Sequence, residues 1–330
     1  MRGFIIRRII CICMLLRMIF NADAYAASVP AELRVDYADF NPLSLVVKKF
    51  NWLDKEFKAD TVRIHWKFSP GSDVALKNLQ ADSLDIASSA SLSSVWSRAV
   101  GGPIKVVYVF ARPEWNALVV SRDSPLQSVK DLKGRKVAVA LGTGPYFFLM
   151  LALKDAGMHK EDVKIIPMPH EDGRASMEQN FVDAWAGGSP YVAMSQLESG
   201  SRLIYRNALF HSYGFLNVTE AFARKYPDAV LRVVKVYENA RNWAIRHPED
   251  LEMMYGEEAR VPLSVARKVL SSYDFSRPVF DRNDVRLLRS GLPVLKEEHL
   301  FPQDTDFDKV IDDLIDTRFV FKHSETGSLR

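Results

Sequence analysis

The stretch Val137 to Gly157, VAVALGTGPYFFLMLALKDAG, limits what this chain can fold into more than any other. Apolar residues run straight into Gly142-Thr143-Gly144-Pro145, and that turn runs into a segment apolar on every side as far as Leu153. A strand without alternation is buried on both faces, as in a parallel sheet, and a helix that is apolar all round is buried as well. The chain is therefore α/β. Pro145 suits the first helical position, and Gly142 and Gly144 allow close approach to the turn. Such a helix start offers free N–H groups that can hold an anion, yet any strand-to-helix turn needs small residues and a cap. The stretch alone supports both readings.

The same order recurs along the chain. Leu33–Tyr37, Val62–Trp66 and Leu84–Ala87 read as strands, alternating with helices near Leu43–Asp54, Asp73–Gln80 and Leu92–Ala99. Lys105–Phe110 and Ala117–Ser121 read as further strands. A second α/β unit begins at KDLKGRKVAVALGTGPY and continues through Val163–Ile166, a helix near Arg174–Asn180, Val182–Ala186 and Leu203–Tyr205. From Thr219 onward helices dominate. They are expected at Pro227–Arg246, Pro262–Ser272, Arg282–Glu298 and Asp306–Arg318, with Trp243 on the core-facing stripe of the first. Two α/β units in one chain imply two lobes with a cleft at the carboxyl ends of the strands. The chain is expected to cross between them near Arg112–Trp115 and near Tyr213–Phe215, and such crossings form a hinge.

The amino terminus reads as a leader. Arg2, Arg7 and Arg8 precede the apolar run Ile9–Leu16, small residues follow, and Ala24-Tyr25-Ala26 fits cleavage after Ala26. Arg17 interrupts the apolar core, and Ile9–Phe20 is short for a membrane anchor. Both cysteines, Cys11 and Cys13, lie in this leader, so the expected mature chain has no disulfide, thiolate metal site, cysteine nucleophile or cysteine-linked lipid. Removing the leader's four arginines and one aspartate from the 44 basic and 41 acidic residues leaves 40 of each. The apparent basicity thus belongs to the leader and gives no reason to expect nucleic acid as a partner.

Catalytic and metal constellations are missing from the pattern. The seven histidines are scattered, with no pair at ligand spacing, and there is no Gly-x-Ser-x-Gly elbow or phosphate loop. No cofactor is expected. His170-Glu171-Asp172, the densest titratable cluster, sits among Pro167, Pro169 and Gly173 and reads as a solvated loop. What remains is a set of four helix starts just past strand ends: Asn41-Pro42, Ser69-Pro70-Gly71-Ser72, Ser88–Ser91 and Thr143–Tyr146. On one sheet edge they could together bind a compact anion without an arginine, while each alone could merely cap its own helix. Trp115, Tyr146, Trp185 and Tyr213 fall near the same edge and could stack on a ligand or fill the core.

Four stretches carry a resemblance to a known family: NPLSLVVKKFNWLDKEF, DSPLQSVKDLKGRKVAVALGTGPYFFL, VDAWAGGSPYVA and YGFLNVTEAFARKYPD. The chain resembles the secreted solute-binding proteins of ABC importers for aliphatic sulfonates, taurine and nitrate over nearly its whole mature length. The resemblance implies a two-lobed periplasmic-binding-protein (type II) fold with two crossing strands and a helical C-terminal segment. Lobe 1 would comprise residues 27–112 and 216–330, and lobe 2 residues 113–215, after a signal peptide at 1–26. It further implies a monomer in the periplasm that binds a small organic anion, sulfonate-like, and hands it to an inner-membrane ABC permease. The cleft candidates are Asn41, Gly71, Ser72, Ser89, Trp115, Asn116, Thr143, Gly144, Tyr146, Asp183, Trp185 and Tyr213, with Asp183 equally able to anchor a strand end. Relatives commonly read Asp-Pro where this chain has Ser189-Pro190. If that carboxylate pairs with the ammonium group of taurine, Ser189 removes the pairing and favours uncharged tails, an expectation that an unchanged taurine affinity in Ser189→Asp would overturn. Two other readings stay open: an orphan or sensory binding protein, and an enzyme of the thiamine-pyrimidine type on the same fold, although the latter relies on a cysteine-rich signature.

Overall fold

Two sheets divide the chain. The computed structural model describes residues 29–207, 210, 213–277 and 280–320, so the leader lies outside the described residues. The first sheet contains β1 (Glu32–Tyr37), β2 (Arg63–Phe68), β3 (Ile86–Ala90), β4 (Ile104–Pro113), β10 (Gly214–Thr219) and β11 (Tyr273–Asp274), in the order β11-β4-β10-β3-β1-β2. The second contains β5 (Asn116–Val120), β6 (Lys136–Val139), β7 (Lys164–Pro167), β8 (Ala184–Gly188) and β9 (Arg202–Tyr205), in the order β7-β6-β8-β5-β9. In each sheet three strands run parallel, β2-β1-β3 and β7-β6-β8, and the next strand, β10 or β5, pairs antiparallel to them. The chain passes to the second sheet between Pro113 and Asn116 and returns between Tyr205 and Gly214.

Helices follow the parallel strands. The first sheet carries α1 (Pro42–Lys49), α2 (Trp52–Glu56), α3 (Ser72–Gln80) and α4 (Ser91–Ala99), and the second carries α5 (Gly144–Asp155), α6 (His170–Glu178) and α7 (Tyr191–Met194). The single helix expected over Leu43–Asp54 is two, because Asn51 adopts a left-handed conformation with φ 53° and breaks the hydrogen-bond ladder. α5 is buried on nearly every side, as its composition demands. The C-terminal part is helical, opening with α8 (Glu220–Lys225) and the 20-residue α9 (Pro227–Arg246), whose Val230, Val233, Val234, Tyr237 and Ala240 face the core. The helix expected over Arg282–Glu298 is interrupted at Gly291.

Three cores result. One lies between the first sheet and α1, α9 and the helices after it. A second joins side chains of both sheets through Phe280, Leu292, Leu295 and Phe301, and a small third core under β8 centres on Trp185. The C-terminal segment also bonds to both sides: Trp96 Nε1 donates to the Leu300 carbonyl at 2.9 Å, and Glu298 accepts from the Lys160 N–H at 3.0 Å and bonds the His159 ring at 2.9 Å. Among the described residues no helix is long and apolar enough to cross a membrane.

Candidate ligand-binding cleft

Parallel strands end on a common edge, and here the two edges face each other. A half-open cavity lies between them. Its walls are the turns after six parallel strands, three from each sheet. Asp39 and Phe40 follow β1, Phe68 to Ser72 end β2, and Ala90 ends β3; Thr143 to Pro145 follow β6, His170 follows β7, and Gly188 to Tyr191 end β8. Trp115 and Asn116, at the first crossing, close one side. The sheets approach closely: a Cβ built on Gly144 would lie 3.2 Å from Ala90 Cβ, and one on Gly71 would lie 3.5 Å from His170 Nε2. All four helix starts singled out in the sequence reach this cavity with at least one residue, or with the residue just before the start.

The local reasons are visible at each turn. At α3 the Asp73 carboxylate already bonds the Asp73 and Val74 N–H groups, and at α5 Pro145 has no N–H while the Tyr146 N–H donates to the Thr143 carbonyl at 3.0 Å, so the Ser72 and Gly144 N–H groups are the donors these two helix starts bring to the cavity wall. Gly142, at φ +73°, turns the chain out of β6 in a conformation that a side chain would resist. The Thr143 hydroxyl donates to the Ala140 carbonyl at 2.6 Å and closes the turn, leaving the α5 start facing the cavity. Ser72 Oγ accepts from the Ala90 N–H at 2.9 Å and ties the α3 start to the end of β3.

Six of the twelve residues expected at the cleft therefore line it: Gly71, Ser72, Trp115, Asn116, Thr143 and Gly144. The other six lie elsewhere, each for a definable reason. Asn41 and Ser89 are fully buried beneath the floor: Asn41 Nδ2 donates to Ser88 Oγ at 2.8 Å, and Ser89 Oγ accepts from Asn217 Nδ2 at 2.9 Å. Tyr146 packs into the second core, 5.6 Å from the Phe147 ring. Asp183 precedes β8 and so stands at the far end of the sheet, where it accepts from the Lys136 N–H at 2.8 Å and lies 3.6 Å from Arg135. Trp185 is fully buried in the third core, held between Gly173 and Gly187, whose Cβ atoms would strike its ring. Tyr213 stacks on Phe215 with ring centroids 6.0 Å apart and donates to Asp284 at 3.1 Å.

Among the described residues no lysine or arginine lines the cavity. Its titratable groups are Asp39, His170 and Tyr191. The His170 cluster, expected as a solvated loop, opens α6 instead, and burial lowers the imidazole to about 4, so it is neutral. Its Nδ1 is buried with no partner among the described residues, and its ring stacks on Tyr191 at 6.3 Å. Burial also raises the Asp39 carboxyl to about 6 and the Tyr191 hydroxyl to about 12. Asp39, His170 and Tyr191 are titratable wall residues that the sequence reading did not place at the cleft. Their one signal is position: each stands in or next to the turn after a parallel strand.

Two facing α/β sheets with a cavity at their joint edge are the architecture of periplasmic solute-binding proteins, and solved members superpose closely. The alkanesulfonate-binding protein SsuA from Xanthomonas axonopodis pv. citri, solved bound to MOPS, matches with a TM-score of 0.76 at 20% identity, over 85% of this chain and 98% of that one. The periplasmic aliphatic sulphonate binding protein SsuA from Escherichia coli matches with a TM-score of 0.73 at 23% identity, over 85% and 92%. The chain belongs to the NMT1/THI5-like family, whose model matches residues 57–251. A relative from Bacillus subtilis, named as an aliphatic sulfonates-binding protein, is 24% identical over 299 residues, 90% of each chain.

Proposed function

We propose that this protein is the periplasmic substrate-binding component of an ABC importer. It takes a small organic anion, an aliphatic sulfonate first among them, between lobes formed by residues 27–112 with 216–330 and by residues 113–215. The observation that carries the reading is the convergence of six strand-end turns, with the Ser72 and Gly144 helix starts among them, on one cavity. Backbone N–H groups and helix dipoles hold a compact anion there without a cationic side chain. The names of the Bacillus subtilis relative and of the two SsuA structures support the same ligand class. Ligand bridging the sheets favours the closed arrangement, whose outer surface the permease reads. The protein acts as a monomer, reaching the periplasm through its leader.

The test is thermal unfolding of the leader-free, ligand-stripped protein against alkanesulfonates, taurine, aryl sulfonates, nitrate, sulfate and thiamine precursors. Ligand at about a hundred times its dissociation constant adds roughly 2.7 kcal/mol, a plain rise in midpoint. A rise confined to sulfonates is expected. A rise with thiamine precursors alone, or none with any sulfonate, overturns the ligand assignment.

A further inference from the structure

An anion site alone does not account for Asp39. Its residue is partly withdrawn from water on the cavity wall, and its carboxylate has neither a hydrogen bond nor an ion pair among the described residues. Burial is the only cause raising its carboxyl, which is still ionised at neutral pH. A charge taken out of water without a partner is costly, and a functional cleft is where such a charge is kept for a ligand of opposite sign. The surrounding walls suit that ligand. Phe40 adjoins Asp39 and meets Trp115 edge to face at 6.1 Å, and Tyr191, on the opposite sheet, lies within the field of the Asp39 carboxylate. Aromatic faces beside a carboxylate attract cations, and alkylated ammonium groups in particular are held in aromatic cages. Two further groups point to an occupant. Asn116 is 8% exposed, lines the cavity and has no side-chain partner among the described residues, and the buried Trp115 Nε1 is likewise unpartnered.

We propose that Asp39, with the faces of Phe40, Trp115 and Tyr191, forms a subsite for a cationic nitrogen, and that the ligand is an alkylated ammonium sulfonate. Its anionic end lies at the helix starts of Ser72 and Gly144, so the inference rests on the anion reading above. Ser189 lines the same cavity. A subsite at Asp39 thus predicts the opposite of the preference for uncharged tails expected from Ser189.

The test compares two sulfonates of one shape: N,N,N-trimethyltaurine and its carbon isostere 3,3-dimethylbutane-1-sulfonate, titrated calorimetrically at neutral pH, with choline as a cation lacking the anion. Wild type is expected to prefer the zwitterion by about tenfold or more. Asp39→Asn is expected to lose that preference, weakening the zwitterion and tightening the isostere, because a neutral tail no longer meets a carboxylate. An unfolding midpoint no lower than wild type shows that the variant folds. Equal binding of the two sulfonates by wild type, or a preference that survives Asp39→Asn, overturns the subsite and leaves the anion reading intact. Choline binding with neither sulfonate supports the subsite and overturns the anion reading. Binding of none of the three overturns both.

Discussion

Gly144 stands where the two sheets approach each other and where the proposed anion would bind, and Gly144→Ala separates binding from folding there. Gly144 is not in the left-handed region and opens α5, so alanine suits its backbone. Local stability should change little: lower unfolded-chain entropy contributes about 0.4–1 kcal/mol, offset in part by the tight contact with Ala90 Cβ at 3.2 Å. Binding is different, because the added methyl stands beside the Gly144 N–H that the proposed anion must approach, 3.4 Å from the Asn116 amide. A hydrogen bond to a charged group contributes about 1.5–3 kcal/mol, so affinity should fall about 10- to 150-fold. The assay is calorimetric titration with the sulfonate that most raises the wild-type midpoint, alongside urea unfolding of both proteins. Wild-type affinity in a variant of wild-type stability would remove the α5 start from the ligand's contacts and refute the reasoning.

Three further outcomes are expected. Trp185→Ala empties the third core between Gly173 and Gly187 and should cost about 3–5 kcal/mol in urea unfolding, whereas a loss below 1 kcal/mol would mean that the indole is not structural. Asp284→Ala removes the carboxylate 2.8 Å from Arg112 Nη2 and an acceptor of the Tyr213 hydroxyl; about 3–5 kcal/mol should be lost, and a neutral result would exclude a structural role for this carboxylate. Asp36 is fully buried, and burial raises its carboxyl to about 6 against hydrogen bonds from Ser88. The native state therefore holds this proton more tightly than the unfolded chain, and the stability it contributes is present below about pH 4 and lost as pH rises through 6, about 3 kcal/mol in all. His170, lowered to about 4, acts in the opposite sense, its contribution being lost as pH falls from about 6.5 toward 4. Urea midpoints of wild type and Asp36→Asn across pH 4 to 7 isolate the first effect, and parallel profiles would contradict it.

The fold was legible where its physics is local. Unbroken apolar runs such as Val137–Val139 can only be strands covered on both faces, and α5, apolar all round, can only be internal. The interruptions were not legible. Asn51 and Gly291 break helices whose apolar periodicity runs straight through them, because the break depends on how each half packs against its neighbours.

Half of the candidate site was readable because strand-to-helix turns announce themselves in small and capping residues, and turns after parallel strands share one edge. Which way a side chain leaves the turn is a different matter. Asn41 and Ser89 offer the same groups as Ser72 and Asn116, yet they point inward, toward Ser88 and Asn217, partners 47 and 128 positions away in the chain. Distance along a strand decides the aromatic and acidic candidates. β8 meets the cavity at Gly188, so Trp185, three residues earlier, is set back about 10 Å and Asp183 further still. His170 fails in the opposite direction: Pro167, Pro169 and Gly173 read as loop, but the approach of Gly71 from the other sheet buries the ring and makes it cavity wall. Asp39 likewise looks like any acid before a helix, and only the folded chain shows it on the cavity wall with no counter-charge among the described residues. The titratable groups on the walls of this cleft become exceptional only when distant stretches of chain meet, and no spacing within one stretch records that meeting.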